Sequence, residues 1–302
     1  MQAVAASDPP VSRRSEHTAT WLLRLAWLTL PVTLGPALAD GLHDTGEGLR
    51  TTASVGLWVL WALGLLATLV PRPASLTAVR LGGPAAAAAA VWASQATDDT
   101  TWAVVGLGAG LLAAATALSA PVGDMFVDGA SYGDERRFLL KAPGPVVMLL
   151  GPVAWAVVVA GTLTGPLLLA DGNRGIGGVA SAVGLPLAAG AVRALHQLGR
   201  RWVVLVPAGF VLHDHLALAE PTLVQRSGMV SVGPARSDTD ALDLSQGAPG
   251  LAIELRCTGP HDLLPATRRG VTEAIAVDAF LCTPARPDAL LAEAARRNLP
   301  VG

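Results

Sequence analysis

The chain has 302 residues, of which 52% are hydrophobic and only 15% are charged. Because about 25% of the residues in an ordinary soluble domain are charged, this composition argues against a protein that is soluble over its whole length. A formal net charge of −2 also excludes a strongly basic nucleic-acid-binding protein. The charges are unevenly spread, since residues 201–302 carry 9 basic and 11 acidic side chains, a density close to that of a soluble domain.

The first 19 residues combine prolines, arginines and small polar residues without an apolar run. This pattern predicts a disordered tail over 1–19 and argues against a cleaved signal peptide. Six mostly apolar segments follow, and each is near the ~20 residues that cross the hydrocarbon core of a bilayer. The sequence therefore predicts an α-helical transmembrane domain over 20–198, with spans at about 20–39, 52–71, 78–94, 101–120, 144–170 and 176–195.

The basic residues of the connecting segments predict how these spans are oriented. Basic residues cluster before the first span and after the second, fourth and sixth, whereas the other segments carry no basic excess. Because basic segments stay in the cytoplasm, we expect both termini there and place the protein in the inner (plasma) membrane of a bacterium. The residues that carry this pattern are Arg13, Arg14, Arg72, Arg80, Arg136, Arg137, Lys141, Arg200 and Arg201.

Small residues and prolines recur within the predicted spans, among them Gly161, Gly165, Pro166 and Pro186. Small residues let membrane helices approach closely, so the pattern favours tight packing. The alternative is a set of broken helices around a substrate site, as in many transporters. The middle of each predicted span lacks Asp, Glu, His and Lys, which argues against a proton-coupled pump or an ion-coupled carrier.

The segment 121–143, between the fourth and fifth predicted spans, is the longest internal loop and contains the chain's one tyrosine. Two interpretations of it remain open. In the first, the loop is an ordered cap whose acids pair with arginines of the C-terminal part and whose arginines meet lipid phosphates. In the second, it binds a metal ion or a phosphate group. The candidate binding residues are Asp124, Tyr132, Asp134, Glu135, Arg136 and Arg137.

The pattern changes at about residue 199, where β-branched runs and turn signals such as Gly259-Pro260 replace the long apolar spans. We predict about seven short strands followed by one amphipathic helix over 284–298. This order describes a small, mostly β cytosolic domain over 199–302, a barrel closed at one end by the helix. The predicted strands are Trp202–Val206 with its hairpin partner at 210–213, then 222–225, 229–232, 241–244, 251–256 and 272–282.

This part of the chain resembles the bacterial PH-like domains found beside transmembrane helices. The residues that carry the likeness are the start Arg200-Arg201-Trp202, the hairpin Val206-Pro-Ala-Gly-Phe210 and the end Phe280-Leu-Cys-Thr-Pro-Ala-Arg-Pro-Asp-Ala-Leu290. The resemblance covers about the last 100 residues, contains no catalytic motif, and implies a binding or assembly module. The whole chain is also similar to multi-span membrane proteins of actinobacteria, which implies no particular activity.

One pair of residues has the spacing of metal ligands. His213 and His215 share a face if they lie on a strand, so both imidazoles could reach one ion. The nearest acids are Asp214 and Glu220, and no further ligand follows in the sequence, so an exposed strand end is the simpler interpretation. The chain has no Gly-x-Ser-x-Gly motif and no phosphate-binding glycine loop, and we predict neither an enzyme nor a cofactor.

Three functional hypotheses follow, and the leading one is an interaction or scaffold component of the membrane with a cytosolic binding module. Its expected partners are the lipid bilayer and a protein partner or a second copy of the chain. The alternative is a transporter of small molecules or lipids, which would need a polar cavity at the middle of the membrane. A membrane enzyme that uses the loop 121–143 would need Asp124, Asp134 and Glu135 to converge on one pocket.

Overall fold

A computed structural model describes residues 11–266 and 273–302 of the chain. Six of its helical segments are long and apolar enough to cross a membrane, which confirms the six predicted spans and makes the chain a multi-pass membrane protein. The helices are α1 (Val11–Thr33), α2 (Gly35–Gly41), α3 (Glu47–Leu69), α4 (Pro73–Ala96), α5 (Thr100–Leu118), α6 (Ala120–Asp128), α7 (Gly151–Ala170), α8 (Arg174–Leu198) and α9 (Pro287–Arg296). A π-helical turn, Val146–Leu150, leads into α7.

The first span begins earlier than the sequence predicts. Residues 11–19, predicted to belong to a disordered tail, form the first turns of α1, while residues 1–10 of that tail lie outside the described residues. The reason is visible at Glu16 and Thr20, which are both 1% exposed because they pack against other elements. Burial on one side of these turns therefore stabilises a helix that polar composition alone does not predict.

Trp27 of α1 fixes the packing of the first helices. Its Nε1–H donates to the carbonyl oxygen of Trp61 on α3 at 2.9 Å, and Nε1–H of Trp61 donates to the carbonyl oxygen of Trp27 at the same distance. Pro31 has no N–H, so it cannot make the helical hydrogen bond to Trp27 four residues earlier. The indole of Trp61 thus satisfies a carbonyl that would otherwise lack a partner in a helix interior.

Two glycines make room for the Trp27 ring. A β-carbon on Gly64 of α3 would overlap the indole, and one on Gly82 of α4 would lie 2.6 Å from its Cη2 atom. Small residues also bring α7 and α8 together, since Gly161 lies against Gly184 and Gly165 against Ser181. Helices α4, α7 and α8 run without interruption through their internal prolines, which favours the packing interpretation of the glycines and prolines over broken helices.

The strands form two separate sheets. The first has the order β1-β2-β3-β4, all antiparallel, and the second has the order β5-β7-β8-β6, in which β6 and β8 are parallel. The predicted strands all appear, apart from residue 272, which lies outside the described residues. Their bounds are β1 (Arg136–Leu139), β2 (Trp202–Val206), β3 (Gly209–His213), β4 (Thr222–Gln225), β5 (Met229–Pro234), β6 (Leu242–Asp243), β7 (Ile253–Leu263) and β8 (Ile275–Cys282).

Three expectations about this part are corrected. The segment 121–143 contains α6 and β1 and is therefore not simply a loop. The predicted turn at Gly259-Pro260 lies inside β7, where the pairing register with β8 shifts between Arg256 and His261; a proline is tolerated in a strand at such an irregularity. Within the described residues, the two sheets pack face to face and do not close into the predicted barrel.

We call strands β1–β8 and α9 the module, and helices α1–α8 the bundle. Strand β1 belongs to the module although it lies between two spans of the bundle. Because side chains alternate along a strand, Phe138 enters the core of the module, whereas Leu139 enters an apolar cluster with Leu76 and Phe126 of the bundle. One short strand thus contributes to two cores.

We predict that Gly64→Val destabilises the protein while Gly56→Val on the same helix does not. The added methyl groups at position 64 overlap the Trp27 indole, whereas the space around Gly56 is open within 4 Å. Overpacking of this kind costs about 1–3 kcal/mol, and both variants introduce the same β-branched residue. Thermal unfolding of the detergent-purified variants measures the difference, and equal melting temperatures would show that Trp27 does not hold the helices in place.

A buried ionic cluster between the bundle and the module

Six charged side chains from five parts of the chain meet between the bundle and the module. They come from the start of α1, from α4 and α6, from β1, and from the residue before α9. Because such groups are strongly hydrated, burying them requires oppositely charged partners. We call this set the ionic cluster: Glu16, Arg80, Asp124, Asp128, Arg136 and Arg286.

Arg136 is the centre of the cluster and is 2% exposed. Its Nη2 contacts both carboxylate oxygens of Glu16, and its Nη1 donates to Oδ2 of Asp128. Burial alone would lower the pKa of Arg136, but the attraction of Asp128 and Glu16 outweighs it and raises that pKa. The guanidinium therefore stays charged and holds α1, α6 and β1 together.

Arg286 connects the chain before α9 to the same cluster. Its Nη1 donates to Oε1 of Glu16 at 2.9 Å, and its Nη2 donates to Oγ of Ser15 at 3.1 Å. These bonds place the start of α1, the segment between the fourth and fifth spans, and the C-terminal module at one end of the bundle. That arrangement is what an even number of spans requires.

Asp124 is fully buried and incompletely paired. Its Oδ1 accepts a hydrogen bond from the Leu139 N–H at 2.9 Å, while its Oδ2 lies 3.9 Å from Nη1 of Arg286 without a hydrogen bond. Burial raises the pKa of Asp124 to about 7; the carboxylate of Glu16 also raises it, whereas the Leu139 hydrogen bond and the charges of Arg286 and Arg136 lower it. Asp124 therefore gains a proton close to neutral pH.

The other residues predicted in this segment lie apart from Asp124. Tyr132 is 82% exposed. Asp134 is exposed and its Oδ1 lies 3.3 Å from Nη2 of Arg297, while Glu135 accepts from the Tyr132 N–H at 2.6 Å and from Nη2 of Arg137 at 2.7 Å. Since Asp124, Asp134 and Glu135 have different partners, the described residues offer no pocket in which they meet.

The arginines of the segment do not face outward as the cap interpretation expected. The guanidinium of Arg136 pairs with Glu16 and Asp128 inside the ionic cluster. The guanidinium of Arg137 lies over the Trp202 ring, 5.4 Å from its centroid. The acids do pair with arginines of the C-terminal part, through Arg286 and Arg297. The cap interpretation is thus right about Asp124 and Asp134 and wrong about Arg136, which is held by the buried carboxylate of Glu16 and the largely buried one of Asp128.

His213 and His215 do not form a metal site with a third ligand. His213 stacks on Trp202 with ring centroids 4.8 Å apart, while His215 is exposed at the start of the following loop. Burial and nearby cations lower the pKa of both imidazoles, against the opposing effect of the Asp214 charge. Across residues 11–266 and 273–302, no group of three or more His, Cys, Asp or Glu side chains could hold a metal ion.

Asp214, between the two histidines, has a different role. Its two oxygens each accept a hydrogen bond of 2.7 Å from Arg201, and Nη1 of Arg201 donates to the Lys141 carbonyl oxygen at 3.0 Å. Both side chains are 1% exposed. This bidentate pair fixes the point where α8 passes into β2 and ties it to the chain beyond β1.

Only Asp124 and Arg136 of the ionic cluster are among the binding residues predicted from the sequence. Glu16 was assigned to the tail, Arg80 was counted as a basic residue at a span boundary, and Arg286 was seen only as part of a helix start. The one available signal was the position of Glu16, which is the single acidic residue within the turns that lead into the first span. A carboxylate at that place, with arginines in the segment 121–143, is compatible with an ion pair but does not identify it.

Two clefts in the bundle bear on the transporter hypothesis. The first, of about 300 Å³, lies between α4 and α8 and is lined by four apolar residues with Thr77 and His196. The second, of about 490 Å³, lies on the α7–α8 hairpin and is lined only by apolar residues and glycines. Neither is the polar cavity in the middle of the membrane that transport of a polar substrate would need.

Comparison with protein-family models, curated proteins and solved structures finds no match for this chain. The arguments about function therefore depend on the geometry of the chain itself.

We predict that Arg136→Met lowers the stability of the folded protein by about 3–5 kcal/mol, because it removes the cation that binds Asp128 and one of the two cations that bind the buried Glu16. The matched control is Arg236→Met, since Arg236 pairs with Asp238 but both side chains are at least 70% exposed. An exposed pair contributes about 1 kcal/mol or less. Thermal unfolding in detergent compares the two variants, and a similar small loss in both would contradict the role assigned to Arg136.

We predict that Asp124→Asn removes part of the pH dependence of stability. The pKa of Asp124 in the fold is about 7 and lies above the usual 3.8, so the folded state binds the extra proton and its stability falls as the pH rises through 7. The wild type should lose about 1 kcal/mol between about pH 6 and about pH 8 relative to the variant. The melting temperatures of the wild type and of Asp124→Asn are compared at both pH values, with Asp238→Asn as the exposed control. An equal change with pH in the wild type and in Asp124→Asn would refute the prediction.

Proposed function

We propose that this protein is a non-enzymatic interaction component of the membrane, in which the bundle holds a binding module in a fixed position. The observation that carries the proposal is the insertion of β1, from the segment between two spans, into the first sheet of the module. Four residue pairs join β1 to β2, from Arg136 opposite Leu205 to Leu139 opposite Trp202. A module attached by one flexible linker would not need this.

Backbone hydrogen bonds extend the attachment beyond β1. The Lys141 N–H donates to the Thr283 carbonyl oxygen at 2.9 Å, and the Ala285 N–H donates to the Leu139 carbonyl oxygen at 2.7 Å. With the bonds of Arg286 to Glu16 and Ser15, the module is joined to the bundle at several points spaced widely along the sequence. Rigid attachment of this kind suits a module that must present one surface at a defined height above the membrane.

The PH-like character of the module belongs to the same proposal. Two packed sheets and a C-terminal helix, whose Ala289, Leu290 and Ala294 enter their shared core, are compatible with the sequence resemblance. Binding and assembly are the usual roles of such modules in that family, and the module leaves apolar side chains exposed at Leu223, Val230 and Leu251. We place the module in the cytoplasm on the basis of the distribution of basic residues.

The alternatives have less support. A transporter would be favoured by a polar cavity, and the two clefts are largely apolar. An enzyme that uses the segment 121–143 would need its carboxylates to meet, and they bind separate partners. The interaction hypothesis requires neither feature.

We predict that photo-cross-linking residues placed at Val230 or Leu251 capture a discrete protein in native membranes, whereas one at Trp58 captures only lipid. Val230 and Leu251 are about half exposed on the module, and Trp58 is 59% exposed on α3 of the bundle. Cross-linked species separated by mass, with differently tagged copies to reveal self-association, give the readout. A module that captures neither a partner nor a second copy would contradict the proposal, as would turnover of a substrate by the purified chain.

A further inference from the structure

The cleft between α4 and α8 lies at the end of the bundle that carries the module. Its walls are Ala74, Thr77, Ala78 and Leu81 on α4, and Val192 and His196 on α8. These positions recur at helical spacing, so each helix presents one continuous stripe to the cleft. The stripe on α4 begins two residues after Arg72, and the stripe on α8 ends two residues before the helix does.

Two direct hydrogen bonds join α4 to the α7–α8 hairpin beside the cleft. Oγ1 of Thr77 and Nδ1 of His196 lie 2.8 Å apart, and Nε1 of Trp155 on α7 donates to the Leu81 carbonyl oxygen at 3.1 Å. The residues that line the space between the helices are mostly small and apolar, and they leave an open volume of about 300 Å³ between α4 and α8.

Two arginines lie close in sequence to the residues that line this volume. Arg72 is the residue immediately before α4, and Arg200 follows one turn after His196. Both are exposed, and within the described part of the chain no carboxylate lies at ion-pair distance from either guanidinium. His213 and His215 of the module are close enough to Arg200 for its charge to help lower the pKa of each imidazole, so Arg200 lies where the bundle meets the module.

We propose that this cleft binds one acyl chain of an anionic phospholipid, whose phosphate lies between Arg72 and Arg200. An acyl chain is the apolar ligand that a membrane supplies at this depth, and small alanines leave it the space. Basic pockets between membrane helices at one bilayer surface commonly bind anionic headgroups. Free cations beside an apolar groove select such a lipid over a zwitterionic lipid with the same chains.

The site goes beyond the proposed interaction role, because it concerns the lipid and not the protein partner. A lipid bound here would fill the gap between α8 and α4, and α8 leads directly into β2 of the module. Occupancy would therefore stabilise the position of the α7–α8 hairpin relative to the other helices. Without Arg72 and Arg200, an apolar cleft would bind acyl chains but would not select for the charge of the headgroup.

The test uses the purified full-length chain and native mass spectrometry with added phosphatidylglycerol or phosphatidylcholine of the same chain length. We expect phosphatidylglycerol to be retained about tenfold better by the wild type. Arg200→Gln should weaken its binding about fivefold, the contribution of one basic residue at a membrane surface. The control is Arg174→Gln, which removes the same charge from the exposed opposite end of α8 and should leave retention unchanged.

A second pair of variants tests the cleft itself. Ala78→Phe fills it and should abolish retention of the lipid, whereas Ala88→Phe adds the same ring to an exposed position of α4 outside the cleft and should not. If Ala78→Phe does not accumulate as folded protein, Ala74→Leu narrows the same cleft with a smaller side chain. Equal binding of the two lipids, equal effects of Arg174→Gln and Arg200→Gln, or unchanged retention in the cleft variants would each overturn the proposal.

Discussion

The structure depends on the cost of burying the Arg136 guanidinium. Removing an ion of this kind from water costs several kcal/mol unless hydrogen-bonded counter-ions surround it, and no single element of this chain can supply them. Glu16 comes from the start of α1 and Asp128 from the end of α6. Arg286 shares Glu16 with Arg136 and extends the requirement to the chain before α9. Because each group would be left charged and unpaired if one element moved away, the bundle and the module are held in one relative position.

Strand β1 explains why the cluster lies where it does. Arg136 is the first residue of the strand, and its last two residues, Phe138 and Leu139, point to opposite faces and enter the cores of the module and the bundle respectively. Apolar burial thus fixes the strand from both sides, and the ionic cluster fixes its beginning. The consequence for function is that the surface of the module cannot swing freely on its connection to α8. Strand β1 and the ionic cluster hold it in a defined place relative to the bundle, as the proposed interaction role requires.

The parts that sequence could predict are those that depend on local pattern. Apolar length predicted the six spans, and β-branched runs with turn residues predicted β2–β8, although β7 continues through the expected turn at Gly259-Pro260. An amphipathic pattern predicted α9. Strand β1 could not be found in this way, because Arg136–Leu139 is short, begins with two charges, and becomes a strand only by pairing with β2, more than 60 residues later. Glu16 was missed for the same reason, since its partners are distant in sequence and a lone acid before a span has the composition of a tail. The arrangement in two sheets was missed likewise, because the strand orders depend on pairing between residues far apart in the sequence.

In the bundle, too, a buried polar group is paired with a residue far away in the sequence, but here both partners are uncharged. Pro31 frees the carbonyl oxygen of Trp27, and the indole of Trp61 on another helix donates to it. That solution requires Gly64 and Gly82 beside the Trp27 ring, so it packs the first helices closely. The α7–α8 hairpin is likewise joined to α4 by two hydrogen bonds, at Leu81 and Thr77, but a cleft remains between them. The first helices therefore pack closely around Trp27, whereas the contact of α8 with α4 leaves an open apolar cleft. A lipid is the component of the membrane that can fill this cleft.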